Sequence, residues 1–181
     1  MPATQPLPHP RVLEPPIDHA SVLRLQRDGA GAWRLERMTY DTVFPTGILL
    51  SADERTLYVS ENPSDATGRA ELRAYPIGDD GALGPGRVLQ TFRGPCGVHG
   101  MCLDSDGNVV ACVGQPGSEQ GPAITVFSAG GEVLENHPFK LGQANNCAFG
   151  DPDLSVLYVT TAEGHLCRVR DTGWRGSHLL R

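Results

Sequence analysis

Apolar residues along this chain fall in short alternating runs, and no stretch carries the i, i+3, i+4, i+7 spacing of an amphipathic helix. Residues 19–26 (HASVLRLQ) set Val22 and Leu23 among polar neighbours. Arg27-Asp28-Gly29-Ala30-Gly31 then supplies a turn, and residues 32–39 return with Trp33, Leu35 and Met38 spaced for one face. These signals predict a β-hairpin, and they recur twice. Residues 71–77 and 87–92 flank a turn at Gly78-Asp79-Asp80-Gly81, and residues 123–127 and 132–138 flank one at Ser128-Ala129-Gly130-Gly131. Glycine and proline, 22 and 15 of the 181 residues, suit a chain that turns often.

Between the hairpins lie three segments that align with one another. One runs from Pro45-Thr46-Gly47-Ile48-Leu49-Leu50 through an acidic turn at Asp53-Glu54 to Leu57-Tyr58-Val59-Ser60. The second runs from Val98-His99-Gly100-Met101-Cys102-Leu103 through Asp104-Ser105-Asp106-Gly107-Asn108 to Val109-Val110-Ala111. The third runs from Asn146-Cys147-Ala148-Phe149-Gly150 through Asp151-Pro152-Asp153 to Leu157-Tyr158-Val159-Thr160. With Thr46, His99 and Asn146 in register, the spacings are 53 and 47 residues, the period of a four-stranded propeller blade. The repeat unit is two strands plus a hairpin, and the predicted fold is all-β: a partial β-propeller of about three and a half four-stranded blades. A closed ring does not fit in this length. Residues 17–170 are assigned to blades, residues 1–16, with six prolines, to a disordered leader, and residues 171–181 to a C-terminal tail. The first strand of each blade lines the axis, so Thr46, His99 and Asn146 are expected to face the channel at similar heights.

Charge and cysteine content narrow the function classes. A net charge of −6 gives no footprint for nucleic acid phosphates or an anionic membrane surface. No apolar run of about 18 residues and no secretory signal pattern is present, so a cytoplasmic protein is expected. Cys102, Cys112, Cys147 and Cys167 sit inside apolar runs and read as buried thiols rather than disulfides. A Cys96/His99 nucleophile pair lacks an orienting third group. Asp104-Ser105-Asp106-Gly107-Asn108 departs from an EF-hand, with Gly at position four and Gln115 at twelve, and reads as a tight turn. Asn62-Pro63-Ser64 carries proline where a glycosylation site excludes it. His165 and His178 are expected to face solvent, and Trp174 to cover the exposed end of the last blade.

The segments beginning at Pro45-Thr46-Gly47, His99-Gly100-Met101 and Asn146-Cys147-Ala148-Phe149-Gly150, together with Asp18-His19-Ala20-Ser21-Val22, resemble the gluconolactonase, senescence marker protein and luciferin-regenerating enzyme family of six-bladed β-propellers. The resemblance covers residues 17–170 and corresponds to the C-terminal half of that fold. It implies hydrolysis of a sugar lactone or related ester at a divalent metal, Ca²⁺ in relatives, at the top of the central channel. It also implies a ligand set of a Glu from the first blade, an Asn in Pro-Asn-Gly and an Asp in Asp-Gly-Met. The first blade has no counterpart here, Thr46 stands at the Asn position and His99 at the Asp position. A hydroxyl is a poor Ca²⁺ ligand, and imidazole suits Zn²⁺ better. His99, at the position of the family's acid, is the candidate catalytic base, Thr46 and His99 are the candidate metal positions, and Asn146 is a channel-facing candidate. Two readings stay open. One is a shortened, weakened or inactive lactonase acting on a small-molecule lactone, including a pair of half-rings that complete a propeller. The other is a non-catalytic propeller fragment that binds or oligomerises. Unpaired blade edges predict self-association under both.

Overall fold

The structure is a computed structural model and describes residues 19–62, 70–94, 97–118 and 121–177. The predicted leader, Cys96 and His178 lie outside the described residues. Thirteen strands and no helix are present among the described residues, so no helix there is long and apolar enough to cross a membrane.

The strands form four antiparallel sheets in chain order. A hairpin pairs β1 (Leu23–Arg27) with β2 (Trp33–Arg37). The first full blade is β3 (Pro45–Leu50), β4 (Thr56–Glu61), β5 (Ala70–Pro76) and β6 (Arg87–Phe92), side by side in that order. The second is β7 (Val98–Leu103), β8 (Val109–Val113), β9 (Ala123–Phe127) and β10 (Val133–Pro138). The third, β11 (Ala144–Gly150), β12 (Val156–Thr161) and β13 (Leu166–Val169), has three strands, so the count falls slightly short of three and a half blades. The fold is an open, partial propeller.

Radial stacking follows from the strand pattern. β8 (VVACV) and β9 (AITVF) are apolar on both faces but for Thr125, because a blade packs on each side of them, and all ten residues are buried. Tyr58, Leu72 and Ala74 of the first blade meet Met101, Leu103, Val109 and Phe127 of the second. Val110, Cys112, Ile124 and Val126 of the second meet Cys147, Leu157 and Val159 of the third. The hairpin contributes only Val22, with Met38 partly buried, to a smaller cluster with Leu57, Val59 and Tyr75.

Polar groups fix the joints. The acidic turns are local: the Asp104 carboxylate accepts the Asp106 and Asn108 amides and the Asn108 side chain, so its oxygens are used within its own loop. Arg73 crosses from the first blade toward the loop after the hairpin. It donates to Glu71 at 2.9 Å and Asp41 at 2.6 Å, and the Tyr75 hydroxyl donates to the same Asp41 carboxylate.

Two expectations change in detail. The first strand begins at Leu23, not at residue 19, because the Val22 amide is taken by the Thr39 hydroxyl instead of a strand partner. Trp174 does not cap the outer end of the last blade. It packs beside the joint of the second and third blades, its indole N–H donating to Glu135 and its ring edge-on to His137. Beyond it the chain runs back along the same joint, where Gly176 donates to the Leu154 carbonyl and Ser177 to that of Leu103.

Candidate functional site in the channel wall

The inner strands β3, β7 and β11 lie next to one another, and each carries a register shift near its start. It falls between Pro45 and Gly47, between Val98 and Met101, and between Ala144 and Asn146. A bulge adds a residue that the partner strand does not match, and re-aims the side chains around it. The extra residue is Thr46 in β3 and Asn145 in β11, and His99 occupies the shift in β7. The residue equivalent to Thr46 and His99 is therefore Asn145, one position before the Asn146 that sequence alignment places there. Asn146 stands level with Gly47 and Gly100.

Those glycines let the inner strands approach. A Cβ at Gly47 would collide with the His99 carbonyl, and one at Gly100 would sit 2.5 Å from the Asn146 Cα. The result is an open cleft of about 370 Å³ lined by Thr46, His99, Met101, Asn145, Asn146 and the bulge backbone. All three sequence candidates, Thr46, His99 and Asn146, lie on this one wall.

Two further residues position the wall. Asn62 Nδ2 donates to Thr46 Oγ1 and to the Val98 carbonyl, both at 2.6 Å, tying the first blade to the second. Thr46 Oγ1 thus accepts one bond and keeps its own proton for Ser60 Oγ, 3.2 Å away, or for a ligand. Gln143 Nε2 lies 3.1 Å from His99 Nε2. An amide nitrogen only donates, so the imidazole nitrogen accepts and the neutral ring carries its proton on Nδ1. Burial holds the His99 pKa below its ordinary 6.5, which keeps the ring neutral at pH 7. Asn62 and Gln143 lie at strand ends without a repeat signal, so only the packing reveals them. Asn145 was one residue from view, hidden by the bulge.

The donor set does not fit the divalent cation implied by the resemblance. A hard cation such as Ca²⁺ asks for six to eight oxygens, carboxylates among them. The residues lining the cleft offer a hydroxyl, two amides, an imidazole and backbone groups, and no carboxylate. Among the described residues no group of three His, Cys, Asp or Glu side chains is placed to hold a metal. His165 is exposed and does not line the cleft. Cys102, Cys112, Cys147 and Cys167 are free thiols in the joint between the second and third blades.

An open propeller whose bulged inner strands present a polar cleft to the axis defines the class of fold and site. Residues 9–163 match the SMP-30/Gluconolactonase/LRE-like region, and the chain belongs to that family. It is 30% identical over 162 residues to a gluconolactonase of Zymomonas mobilis, covering 85% of this chain and 41% of that one. A gluconolactonase structure from Xanthomonas campestris aligns with a TM-score of 0.61 at 30% identity, over 86% of this chain and 45% of that one. The structure of a calcium-binding regucalcin from Agrobacterium tumefaciens aligns with a TM-score of 0.64 at 21% identity, over 80% of this chain and 51% of that one. The chain spans about 40% of the length of the curated relatives it matches.

Proposed function

We propose that this chain binds a small neutral sugar lactone in the channel cleft and hydrolyses it weakly, with His99 as the base. The observation that carries this reading is the wall itself: Thr46, His99, Asn145 and Asn146 gathered by three bulges onto one polar, uncharged surface. Hydroxyl-rich ligands are held by such donors and acceptors, and an uncharged wall neither attracts nor repels a neutral ring. Asn145, Asn146 and the Thr46 hydroxyl hold ring hydroxyls. His99, kept neutral by burial, takes a proton on Nε2 from the water that attacks the lactone carbonyl, after the Gln143 amide withdraws from that nitrogen. Without a carboxylate in the wall, no step passes through a metal.

The test is hydrolysis of glucono-δ-lactone followed by proton release in EDTA, corrected for the spontaneous rate. The full chain should accelerate it, His99→Ala should lose on the order of a hundredfold of that acceleration, and Gln143→Ala should raise it. The neutral wall and the engaged Nε2 also favour a second reading, a lactone-binding module without catalysis. Calorimetric binding of the lactone with no acceleration selects that reading, and neither binding nor acceleration overturns both.

A further inference from the structure

The two ends of this open ring expose matching halves of one blade. In β7, Met101 and Leu103 point at the preceding blade and are 8% and 3% exposed, and Cys147 at the same place in β11 is 5% exposed. Their counterparts in β3, Ile48 and Leu50, point toward the N-terminal hairpin and are 60% and 42% exposed. An apolar groove of about 350 Å³, lined by Val22, Met38, Ile48, Leu50, Leu57 and Leu83, opens there. The hairpin leads into the innermost strand β3 as β5–β6 leads into β7 and β9–β10 into β11, so it supplies the two outer strands of a blade. Among the described residues no inner pair covers Ile48 and Leu50, and the inward edge of β1 pairs with no described strand.

The other end shows the complement. β11 and β12 form an inner pair, and among the described residues no blade lies against its far face. Tyr58 in LYVS of β4 is 2% exposed, buried against the second blade, whereas Tyr158 in LYVT of β12 stands partly open. The third outer position is filled only by β13, the shortest strand at four residues, with Leu166 exposed.

We propose that two copies of this chain close one ring, each copy's β1–β2 hairpin completing the other copy's third blade by pairing β1 with β12 in place of β13. Strand arithmetic supports it: the thirteen strands among the described residues less β13 leave twelve, three four-stranded blades per copy and six per pair. The proportion agrees with a structure of the same family, of which this chain covers 51%. The exchange replaces a four-residue ladder with one along the five residues of β1. It lays the partner's Ala148 and Tyr158 over Ile48 and Leu50. The exposed Leu25 and Leu35 then turn onto the partner's second blade, where Arg27 and Arg37 meet the edge that carries Glu135. The pair is two-fold and self-complementary, the commonest symmetry for a homodimer. Closure also completes the site, because each copy's Thr46, His99 and Asn145 then face the other's across one channel. The inference rests on the family fold and not on lactone chemistry.

Sedimentation equilibrium on the full chain tests it. The expected mass is twice 19.4 kDa. Ile48→Glu and Leu25→Glu, both at residues exposed in the single copy, should each raise the dimer dissociation constant by at least about tenfold while leaving the circular dichroism of the monomer unchanged. Leu166→Glu, on the displaced strand, should leave the dissociation constant within about twofold. A monomer at every concentration overturns the proposal and assigns the groove to a different occupant, such as the chain's own first eighteen residues. A dimer that survives both Ile48→Glu and Leu25→Glu, or one that Leu166→Glu dissociates, overturns it as well.

Discussion

The second blade and the N-terminal hairpin are cut from the same repeat, yet every residue of β8 and β9 is buried and most of β1 and β2 is exposed. Their sequences differ to match: LRLQR and WRLER alternate apolar with polar residues, whereas VVACV and AITVF are apolar at nearly every position. The number of neighbours differs too. The inner strands of a blade flanked on both sides lose both faces from water, though its outermost strand β10 stays exposed, and a strand at an open end keeps one face in water. Burial in this fold follows residue pattern and position in the ring together, and it divides the molecule into a buried centre and two more open ends.

The largest expected effect sets one tyrosine against its repeat partner. Tyr58→Ala empties a fully enclosed space between two blades and should cost about 3–5 kcal/mol in urea unfolding, the range of large-to-small aromatic changes in cores. Tyr158→Ala removes a partly open ring and its hydroxyl's bond to Asp151, and should cost about 1 kcal/mol. Equal losses would break the contrast between centre and end. If the chain dimerises as proposed, the Tyr158→Ala loss should grow with protein concentration.

A smaller effect is expected where inner strands touch. Gly100→Ala drives a methyl against the Asn146 backbone, which cannot swing aside, and should cost about 1–3 kcal/mol by the same measurement. Because it spreads the second blade from the third, it should also weaken lactone binding. Unchanged binding would show that the cleft does not depend on this approach.

The smallest concerns acid. Burial depresses the folded-state pKa of His99, so the folded state favours the neutral ring. The stability this contributes is fully present above pH 6.5 and is lost as pH falls through the lower folded value. The urea midpoint should therefore decline on acidification below pH 6.5, and His99→Asn should flatten that decline. A midpoint with the same acid slope in both proteins would place the titration elsewhere.

The blade repeat was legible in the chain because it rests on local chemistry. Leu57-Tyr58-Val59 and Leu157-Tyr158-Val159 read as strands, and Asp53, Asp104 and Asp153 read as turns whose carboxylates bond their own loops, as the structure shows. Thr46, His99 and Asn146 on one wall were legible for the same reason, since they start strands at one period. The bulge was not, and it exchanged Asn145 for Asn146 as the counterpart of His99. A bulge depends on how two strands pair, and one residue of slip leaves no mark in composition.

By itself, then, the sequence determined which residues form strands, where the chain turns and the repeat of about fifty residues. All of these follow from side-chain type and spacing along one dimension. Only the tertiary structure decided that Asn62 grips Thr46, that Gln143 engages His99, and that Ile48 lies open where Met101 is closed. Each depends on which blade lies beside which, and spacing along one dimension does not carry that.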